Sequence, residues 1–345
     1  MYSFINIIIP SVKIDQLLIN CISHLLKQTH NNFMITMIVD SDNNKAKLLS
    51  LNNMKNIKID IIKVHNSNIS TKRNIGAFKS RSDYLAFIDS DAYPVKEWLT
   101  NALKIFKNKN IEVVTGPTGL PFPNETYFKK LINISKRSFF CSGKWAKRKY
   151  STEDFFIDNI ESCNFIIKTS TYKKINGMNE KIYIGEDSEF ANKINKRFGN
   201  NKIFHSGKCA IFHKDRNLKN LIMQRFAWGM YMDIEFKNVS GLNKIFFLMP
   251  LIGSFLGMIL FVLSYWYTNL IILLLIIFTI FCFLVFMDLS KFKINIFQKS
   301  ICTLIILISN ISYSIGNLIC FTRMNKFIGK IIYRKSRAKN INIIE

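Results

Sequence analysis

Residues 83–94 read DYLAFIDSDAYP. Tyr84 to Ile88 is a short apolar run of the kind that fills a buried β-strand, and it ends in two carboxylates, Asp89 and Asp91, set on either side of one serine. In an extended Asp-x-Asp the two side chains point to opposite faces, so both reach one ion only where the chain turns. Ala92, Tyr93 and Pro94 are expected to supply that turn.

Upstream, the pattern explains where those acids lie. FINIIIPS (residues 4–11) reads as a strand closed by proline. DQLLINCISHLLKQT (15–29) places Leu17, Leu18, Cys21, Ile22, Leu25 and Leu26 on one helical face. NFMITMIVDSDNN (32–44) is a second strand ending in Asp40 and Asp42. IKIDIIKVH (57–65) is a third strand, ISTKRNIGAFKSR (69–81) a helix, and DYLAFIDSD a fourth strand. This alternation predicts an α/β fold: an open, mostly parallel sheet with helices on both faces. Ligands of such sheets bind outside the carboxyl ends of the strands, where the four acids fall. No GxxxxGK[ST] loop and no GxGxxG is present, so any nucleotide phosphate has to be held in another way. Mg²⁺ or Mn²⁺ on one or two carboxylates is the expected substitute. Taken alone, the Asp-x-Asp fits a solvated strand end as well as a metal site.

The 345 residues hold 48 Lys and Arg against 23 Asp and Glu, a net charge of +25. The charge clusters at Lys129, Lys130, Lys136, Arg137, Lys144, Lys147, Arg148 and Lys149, interleaved with Phe139, Phe140 and Trp145. An anionic lipid face or a diphosphate ligand accounts for this cluster better than nucleic acid, and a plainly solvated basic face is the alternative. The seven cysteines are scattered and form no CxxC pair, which excludes the usual zinc and disulfide frameworks.

Beyond Lys244 the charges thin out. The runs 245–266, 269–287 and 301–321 each approach the ~20 residues needed to cross a bilayer. Ser309, Asn310, Ser312, Ser314 and Asn317 interrupt the third, which is therefore a span or a re-entrant segment. The N-terminus lacks a basic region ahead of its short apolar run, so the soluble part is expected to stay in the cytoplasm, behind a multi-pass anchor. Three full spans would place the basic tail, 322–345, on the opposite side, against the positive-inside bias; a re-entrant third run would return it. Between the two parts, Leu218, Ile222, Phe226 and Met230 form a stripe that suits either a helix packed on the core or one lying in the membrane interface. Gly253 and Gly257 make a GxxxG, a packing face or a chance match. The domain plan is 1–213 catalytic, 214–244 juxtamembrane, 245–321 transmembrane and 322–345 tail.

The pieces IIIPS, IVDSD, STKRNIGAFKSRSDYLAFIDSDAYP, NFIIKTSTYKKINGMNE and GEDSEFANKINKRFG, in this order over roughly residues 4 to 213, resemble the family 2 glycosyltransferases. The resemblance implies a nucleotide-sugar-binding GT-A fold and an inverting sugar transfer in bacterial surface polysaccharide or glycolipid synthesis, at the inner membrane. By it, Asp40 and Asp42 hold the base or ribose. Arg73 and Asn74 shape the nucleotide pocket, with Gly76 allowing close helix packing. Asp89 meets the ribose and, with Asp91, the metal and diphosphate. Asp187 is the general base, with Glu186 beside it. The implied partners are a nucleotide-sugar donor, a lipid-linked or glycan acceptor and membrane lipids, with no nucleic acid. QRFAW (224–228) has the spacing of the QxxRW of processive members but carries Ala227 in place of arginine, which implies transfer of a single sugar. Arg225, Arg216 and His213 are further residues that could reach the pocket. A sugar nucleotidyltransferase and a non-enzymatic membrane-associated binding protein are the alternatives; the missing glycine-rich phosphate loop counts against the first, and the acids Asp89, Asp91 and Asp187 against the second.

Overall fold

The computed structural model describes residues 3–41, 57–65, 67–122, 124–238 and 244–324. Asp42 and the tail from residue 325 onward lie outside them. The described chain forms two compact units, one of residues 1–123 with 148–214 and one of 124–147 with 215–345. Segment 124–147 groups with the residues from 215 onward, and Lys214 closes the first unit.

In the first unit β1 (Ile5–Lys13) is the clearest case of sequence dictating position. Side chains alternate along a strand, so Ile5, Ile7 and Ile9 enter one core while Ile8 enters another on the opposite face. The first core is roofed by α1 (Gln16–Leu25), capped by Asp15, whose carboxylate accepts from the backbone N–H of Leu17 and Leu18, and by α3 (Trp98–Asn108). The second is covered by α2 (Ile69–Lys79), α6 (Thr169–Lys174) and α7 (Glu186–Phe198). Each fully buried isoleucine contributes roughly 1.5–3 kcal/mol.

The sheet also holds β2 (Phe33–Ser41), β3 (Ile59–Lys63), β4 (Tyr84–Ile88), β6 (Val113–Thr115), β7 (Phe155–Phe156), β8 (Asn164–Lys168) and β9 (Ile203–His205), in the order β3-β2-β1-β4-β8-β6-β9-β7. The first four strands in that order are parallel, as expected. β8 runs antiparallel to both β4 and β6, because the chain leaves β6 and re-enters β8 at the same edge, with Phe165 opposite both Thr115 and Phe87. That reversal matters for function: it brings the residues just before β8 to the carboxyl end of β4. Outside the sheet, β5 (Ala92–Pro94) and β10 (Ile211–His213) form a two-stranded antiparallel ribbon.

The second unit is helical: α4 (Tyr127–Lys136), α5 (Phe139–Ser142), α8 (Leu218–Met230), α9 (Met232–Asn238), α10 (Ile245–Leu263), α11 (Asn269–Leu289) and α12 (Ile296–Phe321). By length and composition α11 and α12 can cross a membrane, while the apolar helix Phe247–Leu263 is shorter. Three of the polar residues that made the third run ambiguous bond inside the unit. Asn310 Nδ2 donates to the carbonyl of Phe140, Ser312 Oγ to that of Ile222, and Asn317 Nδ2 to that of Phe247. α12 is thus one continuous 26-residue helix whose polar side faces other helices.

α8 packs against α12, with Ser312 Oγ on the carbonyl of Ile222, and the residues it buries are Leu221, Arg225, Ala227, Gly229 and Met230, of which only Met230 belongs to the expected stripe. Gly229 and Gly316 make this crossing possible. A Cβ on Gly316 would lie 2.2 Å from the carbonyl oxygen of Phe226, and one on Gly229 2.2 Å from that of Tyr313. Gly253 and Gly257, by contrast, have nothing within 4 Å that a Cβ would meet, so the GxxxG is not a packing face among the described residues. Gly316→Ala is expected to destabilise the helical unit by about 1–3 kcal/mol, because a backbone carbonyl has nowhere to retreat. Gly257→Ala should leave the thermal midpoint in detergent unchanged or slightly raised. Equal midpoints for the two variants would contradict the crossing.

Candidate active site

β4 delivers Asp89 at its end, and the chain then turns at Ser90 and Asp91, with the N–H of Ala92 donating to the carbonyl of Asp89 at 3.1 Å. The turn therefore lies earlier than the Ala92–Pro94 segment expected to make it. That segment is the strand β5, pinned to β10 with His213 opposite Ala92 and the N–H of Lys214 on the carbonyl of Asp91 at 3.2 Å. The pairing sets His213 Nε2 3.4 Å from Asp91 Oδ1 and 3.7 Å from Asp89 Oδ2. Burial would raise the Asp89 carboxyl, but hydrogen bonding from His213 and the charge of Arg73 outweigh it and hold the group below its ordinary value.

Arg73 is almost wholly buried on α2, whose first turn is capped by Asn68. Its Nη2 donates to Asp89 Oδ1 at 2.9 Å, and Nη1 lies 3.4 Å from Glu186 Oε1. One guanidinium thus ties the acid at the end of β4 to the acids that open α7, and its Nε has no protein partner. Its neighbour Lys72 is equally buried and donates to Asp40 Oδ2 at 2.8 Å and to the carbonyl of Ser11 at 2.7 Å. Asp40 keeps its Oδ1 buried and without a protein partner, a leftover acceptor at the end of β2.

Asn74 was expected beside Arg73 in the pocket, but the structure turns it the other way. Its amide donates to the carbonyl of Met178 and to Glu180, and accepts from Tyr172 Oη and the N–H of Met178. A helix advances about 100° per residue, so neighbours on α2 face different ways. Asn74 anchors the loop that leads to α7. Gly76 has the expected role: a Cβ there would lie 2.8 Å from the Ile38 side chain.

Gly185 precedes α7 at φ +82°, a left-handed conformation that favours glycine and lets the chain swing into the helix. Glu186 and Asp187 occupy the first turn, where the helix dipole favours acids. Burial, and then the adjacent Asp187 charge, push the Glu186 carboxyl up to about 7. Burial raises Asp187 as well; its Oδ1 accepts from the N–H of Ser188 at 2.8 Å.

Three participants escaped the sequence reading. Lys72 stands beside Arg73 in TKRNIG but was passed over. Glu161 holds Arg148, at 3.4 Å, and Lys149, and it accepts from Thr118. Cys163 follows from the register alone: Asn164 is opposite Ile88, so the residue before it comes level with Asp89. Four of the eight residues of the basic cluster are paired with acids. Lys136 meets Asp215 at 2.7 Å and Lys129 meets Glu125 at 3.5 Å in the helical unit, while Glu161 takes Arg148 and Lys149 in the other. Arg225 also lies inside the helical unit, on Asn310 at 3.3 Å and against the Tyr313 ring.

The donor set suits a divalent metal. Asp91 Oδ1 and Asp89 Oδ2 lie on either side of His213 Nε2, at 3.4 and 3.7 Å, so carboxylate and imidazole donors of the kind that Mn²⁺ accepts are within reach of one another. Asp91 and His213 would hold it, with Asp89 steadied by Arg73.

Known proteins resemble this chain in sequence and in fold. Residues 6–175 match the family description Glycosyl transferase family 2. The chain is 23% identical over 118 residues, 34% of its length, to the glycosyltransferase GlyG of Streptococcus pneumoniae. It is 28% identical over 94 residues, 27% of its length, to the uncharacterized glycosyltransferase EpsJ of Bacillus subtilis. It spans only 39% and 27% of those two relatives. Among solved structures it is similar to the mannosyltransferase PcManGT of Pyrobaculum calidifontis, seen with GDP-Man and Mn²⁺. There the TM-score is 0.63 at 12% identity, covering 92% of this chain and 88% of that one. The fold is of the GT-A type, and residues 6–175 are similar to the family 2 glycosyltransferases.

Proposed function

We propose that this protein is an inverting glycosyltransferase that moves one sugar from a nucleoside-diphosphate donor to a lipid-linked or nascent-glycan hydroxyl. The observation that carries the reading is the Arg73 bridge, which joins Asp89, beside His213 and Asp91, to Glu186, the neighbour of Asp187. Sugar transfer needs both ends of this bridge. The donor leaves as a diphosphate, whose charge a metal neutralises, and the incoming hydroxyl loses a proton to a separate carboxylate. Asp91 and His213 orient the diphosphate end, Asp40 Oδ1 accepts from the base or ribose, and Asp187 takes the hydroxyl proton. Attack opposite the leaving group inverts the anomeric centre, as in glycosidases that use a separate base.

The helices α11 and α12 support a multi-pass membrane anchor, with the catalytic unit cytoplasmic. Tyr265, Trp266 and Tyr267 are exposed at the turn between α10 and α11, while Lys291, Lys293 and Lys299 cluster near the turn between α11 and α12. Aromatic residues favour the membrane interface and lysines the cytoplasmic side, so the lysine turn is read as cytoplasmic. A membrane-bound acceptor for a surface polysaccharide or glycolipid fits such an anchor.

The direct test is calorimetric titration of the detergent-purified protein with UDP, GDP, CDP and dTDP, each with and without Mn²⁺. Preferential binding of one nucleotide, strengthened at least about tenfold by metal, is expected. Metal-independent binding of all four would remove the basis for the reading.

A further inference from the structure

The same pocket contains a second donor set, of different chemistry. Asp89, Cys163 and His213 each offer one ligand atom, and the three atoms lie within 4.8 Å of one another. The juxtaposition comes from three separate elements: the end of β4, the residue before β8, and the last residue of β10. The antiparallel reversal of β8 puts Cys163 level with Asp89, and the β5–β10 ribbon brings in His213. All three side chains are partly accessible, so a cation can reach them.

A carboxylate, an imidazole and a thiol form a set for a borderline or soft cation. Mg²⁺ and Mn²⁺ favour oxygen, whereas thiolate with imidazole selects zinc and its relatives. Asp89 is suited to the role because Arg73 occupies its Oδ1 and leaves Oδ2 turned toward His213. The remaining ligands need only small side-chain movements to close on an ion with Zn–N and Zn–S distances of about 2.0–2.3 Å.

We propose that Asp89, Cys163 and His213 form a Zn²⁺-selective site that excludes the hard metal from the pocket. On binding, the Cys163 thiol releases its proton to solvent and the thiolate sulfur joins the ion, with no change of oxidation state. Because the site takes His213 and Asp89 from the Asp91 set, Zn²⁺ competes with Mn²⁺. The Asp91 set without sulfur and the Cys163 set share two residues, so both cannot be filled at once. The site itself does not depend on the transferase reading; only the competition does.

The test uses the full-length protein in detergent and Co²⁺ as a spectroscopic probe for Zn²⁺. A thiolate-to-cobalt charge-transfer band is expected on titration, lost in Cys163→Ser and kept in Cys21→Ser, with Co²⁺ affinity lowered more than about tenfold by the former. Zinc X-ray absorption on the wild-type protein reads the site without any variant and should show one sulfur at about 2.3 Å. A shell of nitrogen and oxygen only, or a cobalt band that survives Cys163→Ser, would overturn the proposal. If the sulfur is present but the zinc-free protein shows no Mn²⁺-dependent nucleotide binding, the transferase reading fails and the zinc site stands.

Discussion

Asp91→Ala is expected to lower kcat/KM for sugar transfer by about 10³-fold or more and to abolish the metal-dependent part of nucleotide binding. Removing one preorganised group that stabilises developing charge costs about 10²–10³ in other enzymes, and a lost metal ligand removes the ion's contribution as well. The protein should still fold. Asp91 sits in a turn at the surface of the first unit with its side chain about a third exposed, and the turn is fixed by backbone bonds from Ala92 and Lys214 that the substitution leaves in place. Asp89→Ala should damage more than activity. It leaves Arg73 buried with only Glu186, 3.4 Å away, as a counter-charge, and breaking a buried ion pair in this way costs about 3–5 kcal/mol. The two acids of the motif are thus separable by experiment. Asp91→Ala should keep the wild-type melting midpoint while losing metal-dependent binding, and Asp89→Ala should lose both. If Asp91→Ala retains transfer within a few-fold, Asp91 does not hold the diphosphate end.

How much of this was readable beforehand depends on the range over which each feature is set. The alternation of Ile5, Ile7 and Ile9 against Ile8, the helical face of α1 and the apolar run into Asp89 are local patterns, and each produced the expected element. What stayed hidden depends on pairing between distant segments. Nothing near Pro94 says that it lies opposite Ile211, so the sequence suggests a turn there and leaves His213 as one of three residues that could reach the pocket. Nothing near Asn164 says that β8 runs against β4, so Cys163 attracted no attention. Asn74 shows the converse limit. Its place next to Arg73 suggested a shared pocket, but it faces Met178 and Tyr172 instead. The basic cluster misled for a related reason. Its lysines and arginines read as a free surface because Asp215 and Glu161, which neutralise part of it, lie outside the segment that carries the cluster.

The candidate base yields the second large effect. Asp187→Asn is expected to reduce kcat by about 10²–10⁴-fold, the range for a positioned general base, while leaving the nucleotide Kd unchanged, because Asp187, held at the start of α7 by the N–H of Ser188, serves the hydroxyl and not the diphosphate. The pH profile follows from the raised carboxyls at the start of α7. A base works only when deprotonated, so a raised pKa moves the acid limb of the profile upward. Transfer should be slow below the ordinary carboxylate range and should climb only as pH passes the elevated value, which for Glu186 is about 7. Two neighbouring acids make the assignment ambiguous in principle, and substitution resolves it. Glu186→Gln removes the carboxylate that faces Arg73 but keeps Asp187, so an acid limb should persist at reduced rate. If that limb disappears in Glu186→Gln and persists in Asp187→Asn, the roles are exchanged and Glu186 takes the proton. If both variants retain near-normal kcat, neither carboxylate is the base. The acids would then serve mainly to satisfy the helix N-terminus and to hold Arg73 against Asp89.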